Sequence, residues 1–165
     1  MTFLYFAYGS NLSVARLRAR TPSARVLHRA ALPGHALRFH KAGRDGSAKC
    51  DAFHTGHPAH CVQGVVFEIA RAEKPVLDRH EGLGNGYEEK WVTLQAAGAG
   101  PLRALLYYAT HIDPHLRPYH WYKAHVLHGA REHGLPPEYV AAVAGVPSVP
   151  DPDPARHARE LAIYR

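Results

Sequence analysis

Residues 3–12 read FLYFAYGSNL, an aromatic and apolar run that ends in a glycine turn. The run over 3–8 predicts a buried strand, and Gly9-Ser10-Asn11 predicts a turn directly after it. A helix follows, with Asn11 or Ser13 as its N-cap, and it must end near Thr21 because Pro22 restricts the residue before it. The first N–H groups of such a helix have no internal partner, so this corner suits a carboxylate or a phosphate.

The rest of the chain holds mostly short strands, and helices dominate its last third. Near-continuous or alternating apolar residues predict the strands, and proline starts or glycine ends mark several helices. This order of elements predicts an α+β fold whose sheet curls toward a barrel. Strands are predicted over 25–32, 35–41, 62–69, 87–95 and 102–110, helices over 73–80, 118–133, 137–143 and 154–164, and an irregular loop over 42–60.

Composition limits the class of protein. A length of 165 residues with 46% apolar residues indicates a single domain over 1–165 that needs neither disulfides nor a metal for stability, with a helical tail over about 146–165. There is no signal-peptide pattern and no apolar stretch of spanning length, so we expect a cytoplasmic protein without membrane contact.

The net charge is +6, and its distribution bears on the partners. The basic residues are spread along the chain. Arg16, Arg18, Arg20 and Arg25 alternate with apolar residues, as on an exposed helix face. This pattern favours a solvated basic surface over a nucleic-acid groove, although a basic protein still attracts small anions.

A second feature lies in the middle of the chain. Glu81 ends a short helical stretch and is followed by Gly82, Gly84 and Gly86. A carboxylate at that position can project into a pocket, whereas an ordinary glutamate is exposed on the surface. The residues alone leave both interpretations open.

The segment Tyr5–Leu12 closely resembles the opening signature of the γ-glutamylcyclotransferase-like family. The resemblance continues in the same order along the chain to about residue 140. Its further pieces are Pro22-Ser23-Ala24, Gly64-Val65-Val66, Leu77-Asp78, Glu81-Gly82, Tyr87, Tyr122-Lys123, Gly129-Ala130, Gly134-Leu135-Pro136 and Glu138-Tyr139. The residues beyond 145 carry no such signal.

The resemblance implies a small mixed barrel-like sheet with helices packed around it. It also implies an enzyme that cyclises a γ-glutamyl group to 5-oxoproline and releases an amine or amino acid, without any cofactor. It implies that Glu81 is the catalytic acid and base. The implied partners are a small γ-glutamyl substrate and, at most, a second copy of the chain in a homodimer. A γ-glutamyl amine or a carrier-linked γ-glutamyl group is an alternative substrate. The implied substrate-binding residues are Tyr5, Tyr8, Gly9, Ser10, Asn11, Leu12, Tyr87 and Tyr122.

Three rival interpretations remain. Cys50, Cys61 and the histidines between them are residue types that bind zinc, but they lack a paired CxxC pattern. Either cysteine could be a nucleophile, although neither lies at a helix start, where a thiol is activated. The fold could also bind an anion or acyl group without turning it over, but such a binder has no reason to place a carboxylate in its pocket.

Overall fold

Seven strands and five helices make up the computed structural model, which describes residues 1–165. Five strands form a closed barrel in the order β1-β5-β2-β6-β7, and β3 and β4 form a separate hairpin. The predicted α+β barrel with surrounding helices is therefore confirmed. The strands are β1 Thr2–Ala7, β2 Arg25–Pro33, β3 His35–Ala42, β4 Ala48–His54, β5 Cys61–Ala70, β6 Tyr87–Ala96 and β7 Gly100–Ala109.

The first strand closes the barrel. β1 runs antiparallel to β5 and parallel to β7, where Tyr5 lies opposite Leu105. Its aromatic residues are almost completely buried, as the apolar run predicts, and Phe6 is fully enclosed. Gly64 lies on β5, and a Cβ there would stand 2.4 Å from the Ala7 carbonyl oxygen, so only glycine lets the two strands approach this closely.

The hairpin corrects the predicted loop over 42–60. β4 occupies much of that stretch and pairs with β3 along most of its length. Its inward side chains are small, namely Ala48, Cys50 and Ala52, and a buried carboxylate, Asp51, lies among them. Alanine and aspartate have low strand propensity, so burial against the barrel rather than local preference makes this strand.

The helices are α1 Val14–Arg20, α2 Lys74–Glu81, α3 His120–Glu132, α4 Pro137–Ala144 and α5 Pro154–Leu161. Ser13 caps α1 by accepting a hydrogen bond from the Arg16 N–H at 3.3 Å, as one of the two predicted caps. A 3₁₀ turn, Ser10–Leu12, joins β1 to this cap, and another, Ala162–Tyr164, follows α5. No helix is both long enough and apolar enough to cross a lipid bilayer.

Helix α3 packs directly on the loop after β1. Gly129 faces the backbone of that loop, and a Cβ there would stand 2.4 Å from the carbonyl carbon of Leu12 and 2.5 Å from the Ser13 nitrogen. Leu12 itself is completely buried in this contact. The glycine therefore sets how closely α3 supports the turn that follows the first strand.

We predict that Gly129→Ala lowers the free energy of unfolding by about 2 kcal/mol, because its new methyl group meets backbone that cannot move aside. Urea denaturation measures this change. The control is Gly145→Ala at the end of α4, where the nearest atom to a Cβ is 3.5 Å away, and it should change stability by no more than about 0.5 kcal/mol. Equal effects of the two substitutions would contradict the packing argument.

Candidate active site

Glu81 is the last residue of α2, and the end of that helix fixes its position. Gly82 follows with φ of 75°, in the left-handed region that favours glycine. The Gly82 N–H donates to the Asp78 carbonyl at 2.9 Å and closes the helix there. The chain therefore turns away directly after Glu81, whose side chain meets the loop that follows β1.

The Glu81 carboxylate has one satisfied and one unsatisfied oxygen. Its Oε1 accepts hydrogen bonds from the Asn11 side-chain amide at 2.5 Å and from the Tyr5 hydroxyl at 3.1 Å. The Asn11 carbonyl oxygen in turn accepts from Arg20 at 3.2 Å, which fixes the orientation of the amide group. Oε2 has no partner in the protein, so it is the oxygen that remains for a bound molecule.

Burial raises the pKa of Glu81 above its ordinary value, although the nearby charge of Arg20 and the hydrogen bond from Tyr5 act in the opposite direction. Burial and the charge of Glu81 raise the pKa of Tyr5 well above its usual range. Tyr5 therefore stays protonated and continues to donate to the carboxylate. A carboxyl group with a raised pKa is better suited to exchange protons near neutral pH.

The loop after β1 presents unpaired backbone donors. The N–H groups of Gly9, Ser10 and Asn11 donate to no other protein group. Leu12 differs from the prediction, because its N–H donates to the Gly9 carbonyl at 3.1 Å and its side chain is enclosed in the core. Three of the four predicted amides can therefore reach a ligand, and Leu12 has a structural role.

Three predicted tyrosines line the same recess, but their hydroxyl groups already have partners. The Tyr8 hydroxyl donates to the Tyr107 carbonyl, and the Tyr87 hydroxyl donates to the Cys50 carbonyl at 2.5 Å. The Tyr122 hydroxyl accepts from the Cys50 N–H at 2.9 Å. The Tyr87 contact attaches the β3–β4 hairpin to the barrel, and the Tyr122 contact attaches it to α3, so the tyrosines shape the recess and fix its walls.

The recess opens into a larger cavity of about 270 Å³ that is strongly basic. Arg16 and Arg20 line it and are only partly exposed, so the predicted outward-facing arginine surface is wrong for these two positions. Their spacing of four residues on the helix after the loop was the available sequence signal, since it places both on one face. The complete charged set comprises Arg16, Arg20, Lys41, Arg44, Lys49 and Arg79 against Asp45 and Glu81.

The positions of the cysteines and histidines bear on the two rival interpretations, a cysteine nucleophile and a zinc site. Burial raises the pKa of the Cys50 thiol to about 12, so it stays protonated at neutral pH and is a poor nucleophile. Cys61 is partly exposed on β5, and burial also raises the pKa of its thiol. No three side chains of histidine, cysteine, aspartate or glutamate lie close enough together to hold a metal ion.

The molecule is an α+β protein with a closed barrel and a partly buried carboxylate at the edge of a basic cavity. Residues 61–143 match the AIG2-like family. The chain is 33% identical to γ-glutamylcyclotransferase from Bos taurus and 32% identical to that from Homo sapiens, over 84% of this chain and 75% of each relative. A solved structure of a γ-glutamyl cyclotransferase superimposes with a TM-score of 0.83 at 28% identity, covering 90% of both chains. The chain belongs to the AIG2-like family of γ-glutamylcyclotransferase-like enzymes.

The raised pKa of Glu81 makes a prediction about stability. Because its pKa is higher in the folded state than in the unfolded chain, the ionised carboxylate opposes folding above the folded pKa, and this effect disappears below about pH 4. Glu81→Gln should therefore raise the melting temperature at pH 8, and the difference should shrink as the pH falls to 4. The control Glu88→Gln alters an exposed carboxylate, and it should show no such pH-dependent gain. A Glu81→Gln variant less stable than wild type at pH 8 would contradict the raised pKa of Glu81 in the folded state.

Proposed function

We propose that this enzyme cyclises the γ-glutamyl group of a small substrate to 5-oxoproline, with Glu81 as the single acid and base. The observation that carries the proposal is the free Oε2 of the partly buried Glu81, in a recess also lined by Gly9, Ser10 and Asn11, whose backbone amides are unpaired. Such a recess offers a proton acceptor and anion-binding donors on the two sides of one small ligand.

The reaction needs one base that later acts as an acid. The α-amine of the γ-glutamyl group stands beside a free carboxylate, so it is largely protonated at neutral pH and must lose a proton before it attacks. Glu81 Oε2 takes that proton, and the amine nitrogen then bonds to the γ-carbonyl carbon of the same chain. As the bond to the leaving nitrogen breaks, the carboxyl group returns this proton to it. The attacking nitrogen gives up its second proton through the same carboxylate to the departing amine, so the products are 5-oxoproline with a neutral lactam nitrogen and an ammonium ion.

The protein contributes mainly through position and electrostatics. Nucleophile and carbonyl belong to one molecule, so a folded glutamyl chain is already close to the reacting geometry. The amides of Gly9, Ser10 and Asn11 stabilise either the α-carboxylate or the negative charge that develops on the carbonyl oxygen. One such donor is worth about 3 kcal/mol when it meets charge that grows in the transition state.

Glu81→Gln should lower kcat for 5-oxoproline release by about 10³-fold, because the amide cannot accept the proton from the substrate amine. Product formation is measured by liquid chromatography with γ-glutamyl-alanine as the substrate. Glu88→Gln is the matched control, and it should keep wild-type turnover. Equal rates for wild type and Glu81→Gln would refute the catalytic role of this carboxylate.

The basic cavity favours a substrate whose leaving group is also anionic. Lys41, Arg44 and Lys49 come from the β3–β4 hairpin and its turn, and all three line the cavity. Asp45 pairs with Lys49 at 2.8 Å, which leaves Lys41 and Arg44 without an anionic partner within salt-bridge distance. A γ-glutamyl amino acid carries a second carboxylate on its leaving side, whereas a γ-glutamyl amine does not.

We therefore expect kcat/KM for γ-glutamyl-alanine to exceed that for γ-glutamyl-ethylamide by about tenfold, the value of one charge-assisted contact. Arg44→Gln should reduce that ratio by lowering kcat/KM for the anionic substrate alone. Steady-state kinetics on both compounds measure the ratio. A preference for the ethylamide would favour the γ-glutamylamine alternative.

A further inference from the structure

The C-terminal segment lies against the active-site helix α1. Glu160 on α5 forms a salt bridge with Arg16, with Oε2 2.6 Å from Nη1. The same Nη1 lies 3.2 Å from Nε2 of His125, a residue of α3 that is completely buried. Residues from two helices distant in sequence therefore meet on one guanidinium group.

The 3₁₀ turn after α5 closes a second part of this network. The Tyr164 hydroxyl donates to Ser13 Oγ at 2.9 Å and lies 2.7 Å from His125 Nδ1. Since that hydroxyl uses its proton on Ser13, it accepts from His125 Nδ1–H. Burial lowers the pKa of His125, although its hydrogen bond with Glu160 acts in the opposite direction. Nε2 of the ring lies beside both members of the ion pair, 3.1 Å from Glu160 Oε2 and 3.2 Å from Arg16 Nη1.

The other side of Arg16 belongs to the active site. Its Nε donates to Ser10 Oγ at 3.2 Å, beside the unpaired Ser10 amide, and the residue lines the basic cavity. Nη2 is the one nitrogen of this guanidinium that has no partner in the protein. The C-terminal segment and Ser10 thus hold Arg16 through Nε and Nη1, while Nη2 keeps its donors for a ligand.

We propose that Glu160, His125 and Tyr164 are positioning residues that hold Arg16 so that its guanidinium binds a carboxylate of the substrate. This inference rests on the proposed function, since it assigns Arg16 to the same anionic ligand. A bound arginine with a fixed orientation loses less freedom when it captures a carboxylate than a mobile one does. The C-terminal segment therefore acts on substrate affinity without touching the substrate.

The test compares Glu160→Gln with wild type and with Glu138→Gln, which changes an exposed helical glutamate of α4. Glu160→Gln should raise KM for γ-glutamyl-alanine about tenfold, with kcat changed less than about twofold, because the charge that orients Arg16 is lost. The Kd of 5-oxoproline, measured by calorimetry, should rise with it. Glu138→Gln should match wild type in both measurements.

A double substitution shows whether Glu160 acts through Arg16. In an Arg16→Gln background, Glu160→Gln should have no further effect on KM, because the group that it positions is gone. Tyr164→Phe is the milder second variant, since it removes only the hydroxyl that bridges His125 and Ser13, and its KM should rise about threefold. If Glu160→Gln does not fold, the KM of Tyr164→Phe tests the positioning role in its place.

The outcomes distinguish this inference from the proposed function. Unchanged KM and Kd in folded Glu160→Gln, or an equal KM effect with and without Arg16, would overturn the positioning role, while the loss of activity in Glu81→Gln would still support the cyclase. If wild type neither releases 5-oxoproline from γ-glutamyl-alanine nor binds 5-oxoproline, both ideas are overturned. A rise in KM that disappears in the Arg16→Gln background supports the positioning role.

Discussion

The structure depends on burying one carboxylate where α2 meets the loop after the first strand. Transfer of an ionised carboxylate from water into protein is unfavourable unless hydrogen bonds and opposite charges replace the lost hydration. Asn11 and Tyr5 supply the hydrogen bonds, and Arg20 supplies both charge and the orientation of the Asn11 amide. The compensation is incomplete, because the pKa of Glu81 remains raised. The ionised carboxylate therefore lowers local stability at this residue, as is common at functional sites.

The cations around the cavity also lose hydration on burial, and opposite charges would compensate for that loss. Burial lowers the pKa of Arg20 and of Lys41, because the charged form of each group is less favourable in the protein than in water. Glu81 is a single carboxylate among several such cations, and Oε1 is its only oxygen with protein partners. An anion that enters the cavity would supply negative charge to several of these cations together. The site is therefore electrostatically complementary to an anionic ligand before any ligand arrives, which is the meaning of preorganisation.

Most of the fold could be predicted from local patterns, whereas most of the charged site could not. The apolar runs located six of the seven strands, and glycine and proline marked the helix ends, because backbone conformation is encoded locally. β4 was missed because Ala48, Cys50 and Ala52 become a strand only through burial against the barrel. The prediction that Arg16 is exposed was wrong, because Arg16 forms a salt bridge with Glu160, which lies 144 positions away in the chain. Contacts of that separation leave no periodic signal.

The separation of the hairpin from the barrel sheet has a consequence for the outer cavity. Glu81 and the loop after β1 belong to the barrel side, and the hairpin is attached to it through Cys50, whose N–H and carbonyl groups contact Tyr122 and Tyr87. A Cβ on Gly9 would stand 3.0 Å from the Cys50 Cβ, so this end of the hairpin is held in close contact with the loop. The turn at 43–47 lies beyond these attachments and lines the outer cavity. Substitutions in the turn can therefore change the lining of the outer cavity while the carboxylate and its hydrogen bonds stay in place.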